Sequence, residues 1–257
     1  MICAALVDWL QAPDFPGQDA SALGRPLAAY PLMAAKSSAR VHRRFAVSAM
    51  QGVKSAALQY GAVILDPPPD ENPSPSRLLR FALEAVGREA AKEGERLELL
   101  VALSAQAPAV TGAVIDEGVD AVLEKSGFDS ALSVSKLPFW ISRAALRETP
   151  DGALELSPES GPQGAPAPGS EIWRPNWSLL VLKPELLAAA DSQSFSWLGK
   201  RSFAVKQPGL WPVEYQWQIP ALENWLKKHG VSDAAYAPEP QPQPQKSAKP
   251  APSRPVL

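Results

Sequence analysis

The sequence predicts an α/β fold, with a mostly parallel sheet and helices on both of its faces. Two observations carry this. Short apolar runs alternate with longer amphipathic ones along the first 182 residues, the pattern of strands and helices by hydrophobic period. The first four runs of strand length are each followed by one of helix length, and that order implies βαβ units. Right-handed crossovers then place helices on both sides of the sheet.

The elements follow in order. Residues 2–7, 45–48, 62–65, 97–103, 130–134 and 178–182 read as strands, and residues 27–38, 51–60, 75–93 and 113–125 as helices. Gly61 directly follows Tyr60 and suits a left-handed C-terminal cap, and Gly127 follows Lys125 and Ser126 in the same way. Pro73, Ser74, Pro75 and Ser76 open the third helix, since proline is tolerated in a first helical turn but cannot extend a helix backwards. Residues 149–170 are rich in Gly, Pro, Ser and Glu and read as a surface excursion from the domain. Residues 237–257 are proline-rich with almost no apolar material, so a solvated polyproline-II-like tail is expected. The PxxP spacing of Pro252 and Pro255 is incidental in such a composition. One domain over residues 1–236 is therefore expected, followed by that tail.

Composition narrows the function classes. Apolar residues make up 46% and charged residues 20%, the balance of a soluble globular chain with enough material for a full core. A formal net charge of −2 gives no basis for nucleic-acid binding, which needs a clustered cationic excess. The one compact basic group, Arg40, His42, Arg43 and Arg44, reads as a solvated helix end. The single cysteine, Cys3, falls in an apolar run and reads as a buried structural thiol. No basic n-region with a cleavage site opens the chain, and no apolar run reaches membrane-spanning length. A cytoplasmic protein is the expectation. His42 and His229 have no cysteine or carboxylate cluster around them, so they do not read as metal ligands.

There is no P-loop, zinc spacing or GxSxG elbow; instead a series of short phrases occurs in a definite order. Gly24-Arg25-Pro26-Leu27 is followed by Tyr30, then by Phe45-Ala46-Val47-Ser48 and Tyr60-Gly61-Ala62. Ser74-Pro75-Ser76 precedes a helix containing Phe81-Ala82-Leu83-Glu84, and Ala107-Pro108 precedes Thr111 and Ile115-Asp116. The run from Gly127 to Val134, Asn176 before Leu179-Leu180-Val181-Leu182, and Ile219-Pro220 before a last helix at 223–228 complete the series. Taken together, over roughly residues 1–230, this resembles the acylneuraminate and Kdo-type cytidylyltransferases.

The resemblance implies a Rossmann-like nucleotidyltransferase domain that joins CMP from CTP to an acidic sugar. It also implies a glycine loop with Arg and Lys on the phosphates, and carboxylates holding magnesium. Cations and backbone N–H groups neutralise the triphosphate, while the metal stabilises the leaving pyrophosphate. By position, Asp14, Gln18, Ser48 and Gln106 fall on the nucleotide, and Asn176 and Trp177 on the sugar. The metal positions are Gln216 and Gln218.

The departures from that pattern fall on the chemistry. Trp9 stands where an arginine is expected, Asp14 at another basic position and Gln18 at the lysine, with Leu10 and Gln11 in place of glycines. Gln216 and Gln218 replace carboxylates, and neutral amides are poor magnesium ligands. Ser104-Ala105-Gln106 replaces a Gln-Pro-Thr turn, and Val110 an arginine. A degenerate, binding or regulatory protein that needs no cofactor is the expected reading. The alternative is an active enzyme, magnesium-dependent, with a site relocated onto Asp66, Asp70, Glu71, Asp116, Glu117 or Asp120. Against it, Asp116 and Asp120 have the i, i+4 spacing of a solvated helix face, and the first three sit in a proline-rich turn. Trp9, Trp177 and Trp217 are expected to make the crevice smaller and more apolar, while Trp225 reads as core. The excursion at 149–170 lies where the family dimerises, which leaves room for a homodimer or a partner enzyme.

Overall fold

A computed structural model describes residues 1–7, 20–67, 74–125, 127–136, 146–148, 154–156, 173–188, 198–207 and 212–229. The proline-rich tail, the loop at 8–19 and most of the 149–170 excursion lie outside the described residues.

The first strand, β1 (Ile2–Val7), is buried at every position. That explains its unbroken apolar run, because a central strand must be apolar on both faces. A two-residue hairpin, β2 (Ser21–Ala22) and β3 (Arg25–Pro26), leads into helix α1 (Ala29–Ser37). Strand β4 (Arg43–Val47), helix α2 (Gln51–Gln59) and strand β5 (Val63–Leu65) extend the sheet outward. Helix α3 (Pro75–Lys92) returns the chain to β6 (Leu99–Leu103) on the other side of β1. Helix α4 (Gly112–Glu124), strand β7 (Ser130–Lys136) and a short hairpin of β8 (Leu146–Glu148) with β9 (Leu154–Leu156) follow. The rest comprises β10 (Trp173–Leu182), α5 (Pro184–Ala188), β11 (Ser202–Lys206), a 3-10 turn at Gln216–Gln218 and α6 (Ile219–Lys228).

Seven strands form one sheet in the order β11-β7-β10-β6-β1-β4-β5. All pairs are parallel except those of β10, which is antiparallel to both β6 and β7. The alternation along β1 divides the core. Ile2, Ala4 and Leu6 pack with α1, α2, α4 and α6, whereas Cys3, Ala5 and Val7 pack with α3 and α5. Two glycines permit close contact on the first face. A Cβ on Gly112 would lie 2.5 Å from the Ser37 hydroxyl and 2.9 Å from backbone atoms of Ser37 and Ser38. One on Gly118 would lie 3.1 Å from Val181.

Gly61 takes a left-handed φ of +68° after α2, as its position predicts. Cys3 is fully buried, and burial pushes its thiol up to about 11. The basic group at 40–44 is not a helix end. Arg43 and Arg44 open β4, and Arg40 sits in the connection before it, 2.7 Å from both Asp120 and Glu124. The final helix begins at Ile219 rather than 223, with Pro220 in its first turn.

Candidate functional site

The chain steps outward from β1 to β4 and β5, then reappears at β6 on the opposite side of β1. The carboxyl ends of β1 and β6 therefore flank a topological switch point, where open α/β sheets bind ligands. Ser48 follows the last residue of β4, and its hydroxyl accepts from Met50 N at 3.0 Å. Gln106 follows β6, where its N–H donates to the Ser104 hydroxyl at 3.2 Å. Both are serine-headed turns that close a strand without glycine. Val213 N donates to the Gln106 carbonyl at 2.7 Å, which brings the 3-10 turn to the same edge.

Strand β10 reaches this edge from the opposite direction. Leu179 is paired with Leu103, so Asn176 and Trp177 extend beyond the end of β6, and Ser104 N donates to the Ser178 carbonyl at 3.2 Å. There β10 bulges: its register against β7 jumps from Pro175–Val134 to Leu180–Leu132. Four residues of β10 thus face Ser133 alone. Pro175 within a strand is explained by this, since proline is tolerated in sheets at bulges. Side chains take over where the ladder fails. Asn176 Oδ1 accepts from the Ser133 hydroxyl and from Ser178 N (3.1 Å), and Nδ2 donates to the Ser135 hydroxyl (2.8 Å) and to Gln207 Oε1 (3.3 Å). All four hydrogen-bonding positions of this amide are used inside the protein. Trp177 follows with φ +58°, a left-handed conformation that is unusual for a bulky residue. Its half-buried indole packs against the α3 face of the core.

Gln218 is occupied as well. Its Oε1 accepts from Glu214 N at 2.6 Å and from Tyr215 N at 2.8 Å, reaching back as a capping-box residue does. Gln216 beside it is exposed. The magnesium implied by the family resemblance does not fit these donors: both groups are neutral amides, and the Gln218 Oε1 already accepts from two N–H groups.

The edge thus gathers Ser48, Gln106, Asn176, Trp177, Gln216 and Gln218, while Asp14 and Gln18 lie outside the described residues. Trp9 lies outside them too. Trp217 does not narrow the crevice; it is 74% exposed and stacks on Tyr215 with ring centroids 6.0 Å apart. Trp225 is partly buried against the core, as expected, and also stacks on His229.

Three of the six carboxylates considered for a relocated site have structural partners, and Glu117 is exposed on α4. Asp66 pairs with Lys54 at 2.5 Å. Asp116 is not a solvated face: it accepts from the Ser38 hydroxyl (2.5 Å), Ala39 N (3.1 Å) and Arg40 N (3.3 Å), fixing the turn before β4. Asp120 pairs with Arg40. Asp70 and Glu71 lie outside the described residues. No cluster of three His, Cys, Asp or Glu able to hold a metal occurs among the described residues.

No protein-family model matches this chain, and no curated protein sequence does. Solved structures match it over most of its length. One is a CMP-2-keto-3-deoxy-manno-octonic acid synthetase complexed with CTP, with a TM-score of 0.64 at 10% identity, covering 89% of this chain and 99% of that one. The chain has the Rossmann-like nucleotidyltransferase fold. A second match is 4-diphosphocytidyl-2C-methyl-D-erythritol synthase from Anaerococcus prevotii, with a TM-score of 0.59 at 11% identity, covering 88% of this chain and 96% of that one. Among the described residues, no helix of this fold is long and apolar enough to cross a membrane.

Sequence reasoning missed the partners of Asn176. The Ser133-x-Ser135 alternation in an otherwise apolar strand was the available clue, because buried hydroxyls need partners.

Proposed function

We propose that this chain is a cytidylyltransferase-like protein that does not transfer CMP and instead acts as a binding or regulatory partner of an active enzyme. The observation that carries the reading is the pair of hydrogen bonds from Glu214 N and Tyr215 N to Gln218 Oε1. They cap a turn with the residue that the family resemblance assigns to a metal-ligand position. The loop sequence supports it, because Trp9, Asp14 and Gln18 remove the cations that a triphosphate needs. Both structural matches are cytidine-nucleotide enzymes by name, which makes CTP the first ligand to try.

The test is a calorimetric titration of the full chain with CTP, with and without magnesium. A degenerate site binds CTP weakly or not at all, and magnesium does not change the result. A tenfold or greater gain in affinity on adding magnesium would overturn the reading and favour transfer of CMP to an acidic sugar through a relocated site.

A further inference from the structure

We infer that the tail segment at 238–244 docks, within the same molecule, on the stacked rings of Tyr215 and Trp217. Trp217 stacks on Tyr215 with the ring planes 13° apart, so the stack covers one face of the indole. An indole that is 74% exposed keeps its other face open to solvent. Gln216, between the two aromatic residues, is exposed as well. The 3-10 turn therefore presents a flat apolar face, an indole N–H and a side-chain amide together.

That surface fits a polyproline-II segment. Such a segment has no internal hydrogen bonds, so its carbonyls are free to accept from the indole N–H and the amide. Proline rings pack against aromatic faces, and their fixed φ keeps the entropy cost of ordering low. Proline stands at 238, 240, 242 and 244, alternating with Glu239, Gln241 and Gln243. At three residues per turn the faces are 238/241/244, 239/242/245 and 240/243/246, and each carries at least one proline. The segment can therefore meet the indole in any rotation about its axis.

The same chain can reach this surface. Helix α6 has 10 residues, which is about 15 Å, and Trp217 stands two residues before it. Nine residues lead from His229 to Pro238, about 28 Å at about 3.1 Å each, so the chain can run back along the helix with length to spare. Tethering then supplies an effective concentration in the millimolar range, enough for a contact too weak to hold a separate peptide.

The inference does not depend on the proposed function, because it is read without nucleotide. The full chain carries a nitroxide at Gln241→Cys, while the buried Cys3 is left unlabelled. The readout is the Trp217 indole N–H resonance in an isotopically labelled sample, identified by its loss in Trp217→Phe. It is expected to lose at least about half of its intensity relative to the reduced nitroxide, since a millimolar contact is about half formed at a millimolar effective concentration. Replacing Pro238, Pro240, Pro242 and Pro244 together by glycine keeps the tether and the label, and should restore the intensity. Mixing nitroxide-bearing chain with isotopically labelled chain that carries none should leave the resonance unchanged. Trp217 is exposed and the other substitutions lie beyond α6, so the variants should fold. Full intensity in the first sample, a loss that survives the glycine variant, or a loss in the mixed sample would each overturn the assignment, the last in favour of a second copy.

Discussion

Replacing Trp177 by glycine and by alanine gives opposite expectations from those at an ordinary strand position. At most sites within a strand, glycine is the less stable of the two by about 0.5–1 kcal/mol, because it loses more backbone entropy on folding. At Trp177 the backbone is left-handed, with φ +58°, and is held there by the Asn176 bonds to Ser133, Ser135, Ser178 and Gln207. Holding a residue with a Cβ in this region costs about 1–2 kcal/mol, and glycine does not bear that cost. Both variants lose the same half-buried indole contact with the α3 face, so that loss cancels in the comparison. Subtracting the central entropy penalty of glycine from the central strain it relieves leaves Trp177→Gly more stable than Trp177→Ala by about 0.75 kcal/mol. With a urea m-value of about 2 kcal/mol/M, the glycine variant should unfold about 0.4 M later. Equilibrium urea unfolding followed by circular dichroism measures this. An alanine variant equal to or more stable than the glycine variant would refute the left-handed bulge and the role given to Asn176.

Three further expectations rest on separate observations. Gly112→Ala places a methyl 2.5 Å from the Ser37 hydroxyl and 2.9 Å from backbone, so it should cost about 1–3 kcal/mol and lower Tm measurably by calorimetry. Gln218→Ala removes the acceptor for Glu214 N and Tyr215 N and should cost about 1 kcal/mol, whereas exposed Gln216→Ala should be close to neutral in the same melts. Cys3, buried and pushed up to about 11, should resist Ellman's reagent in the native protein at pH 8 and react at once in urea. Since its folded value exceeds its unfolded one, the folded state holds this proton more tightly. That contribution to stability is intact at neutral pH and lost as pH rises from about 9 to about 11, which urea midpoints across that range would reveal.

The parts of this fold that were legible in the sequence are those buried on both faces. β1 and β6 declare themselves as continuous apolar runs, and Gly61 as a helix stop, because burial and a left-handed φ each admit few residue types. Strand β11 was not legible. It lies at the sheet edge, and of its five residues only Val205 is buried, so Ser202, Lys206 and the preceding Arg201 obscure the alternation. The first half of β10 was hidden by Pro175, which argues against a strand until the bulge is known. The site divides in the same way. The family resemblance assigned Ser48, Gln106, Asn176 and Gln218 to one site, and the structure sets them after β4, after β6, in β10 and before α6. What each side chain does there was out of reach, because it depends on partners distant in sequence: Asn176 is satisfied by Ser133 and Ser135, 43 and 41 residues away. The Asp116 contacts show the same limit, since helical spacing gives no hint of the Ser38 turn 78 residues earlier.

Pyrophosphate release tests the central claim most directly. The full chain, supplied with CTP, magnesium and 2-keto-3-deoxy-manno-octonic acid or a sialic acid, should release no pyrophosphate above the enzyme-free background in a coupled phosphate assay. Turnover that scales with protein concentration and stops on chelation of magnesium would contradict it, and would show that the capped Gln218 turn is compatible with metal-dependent transfer.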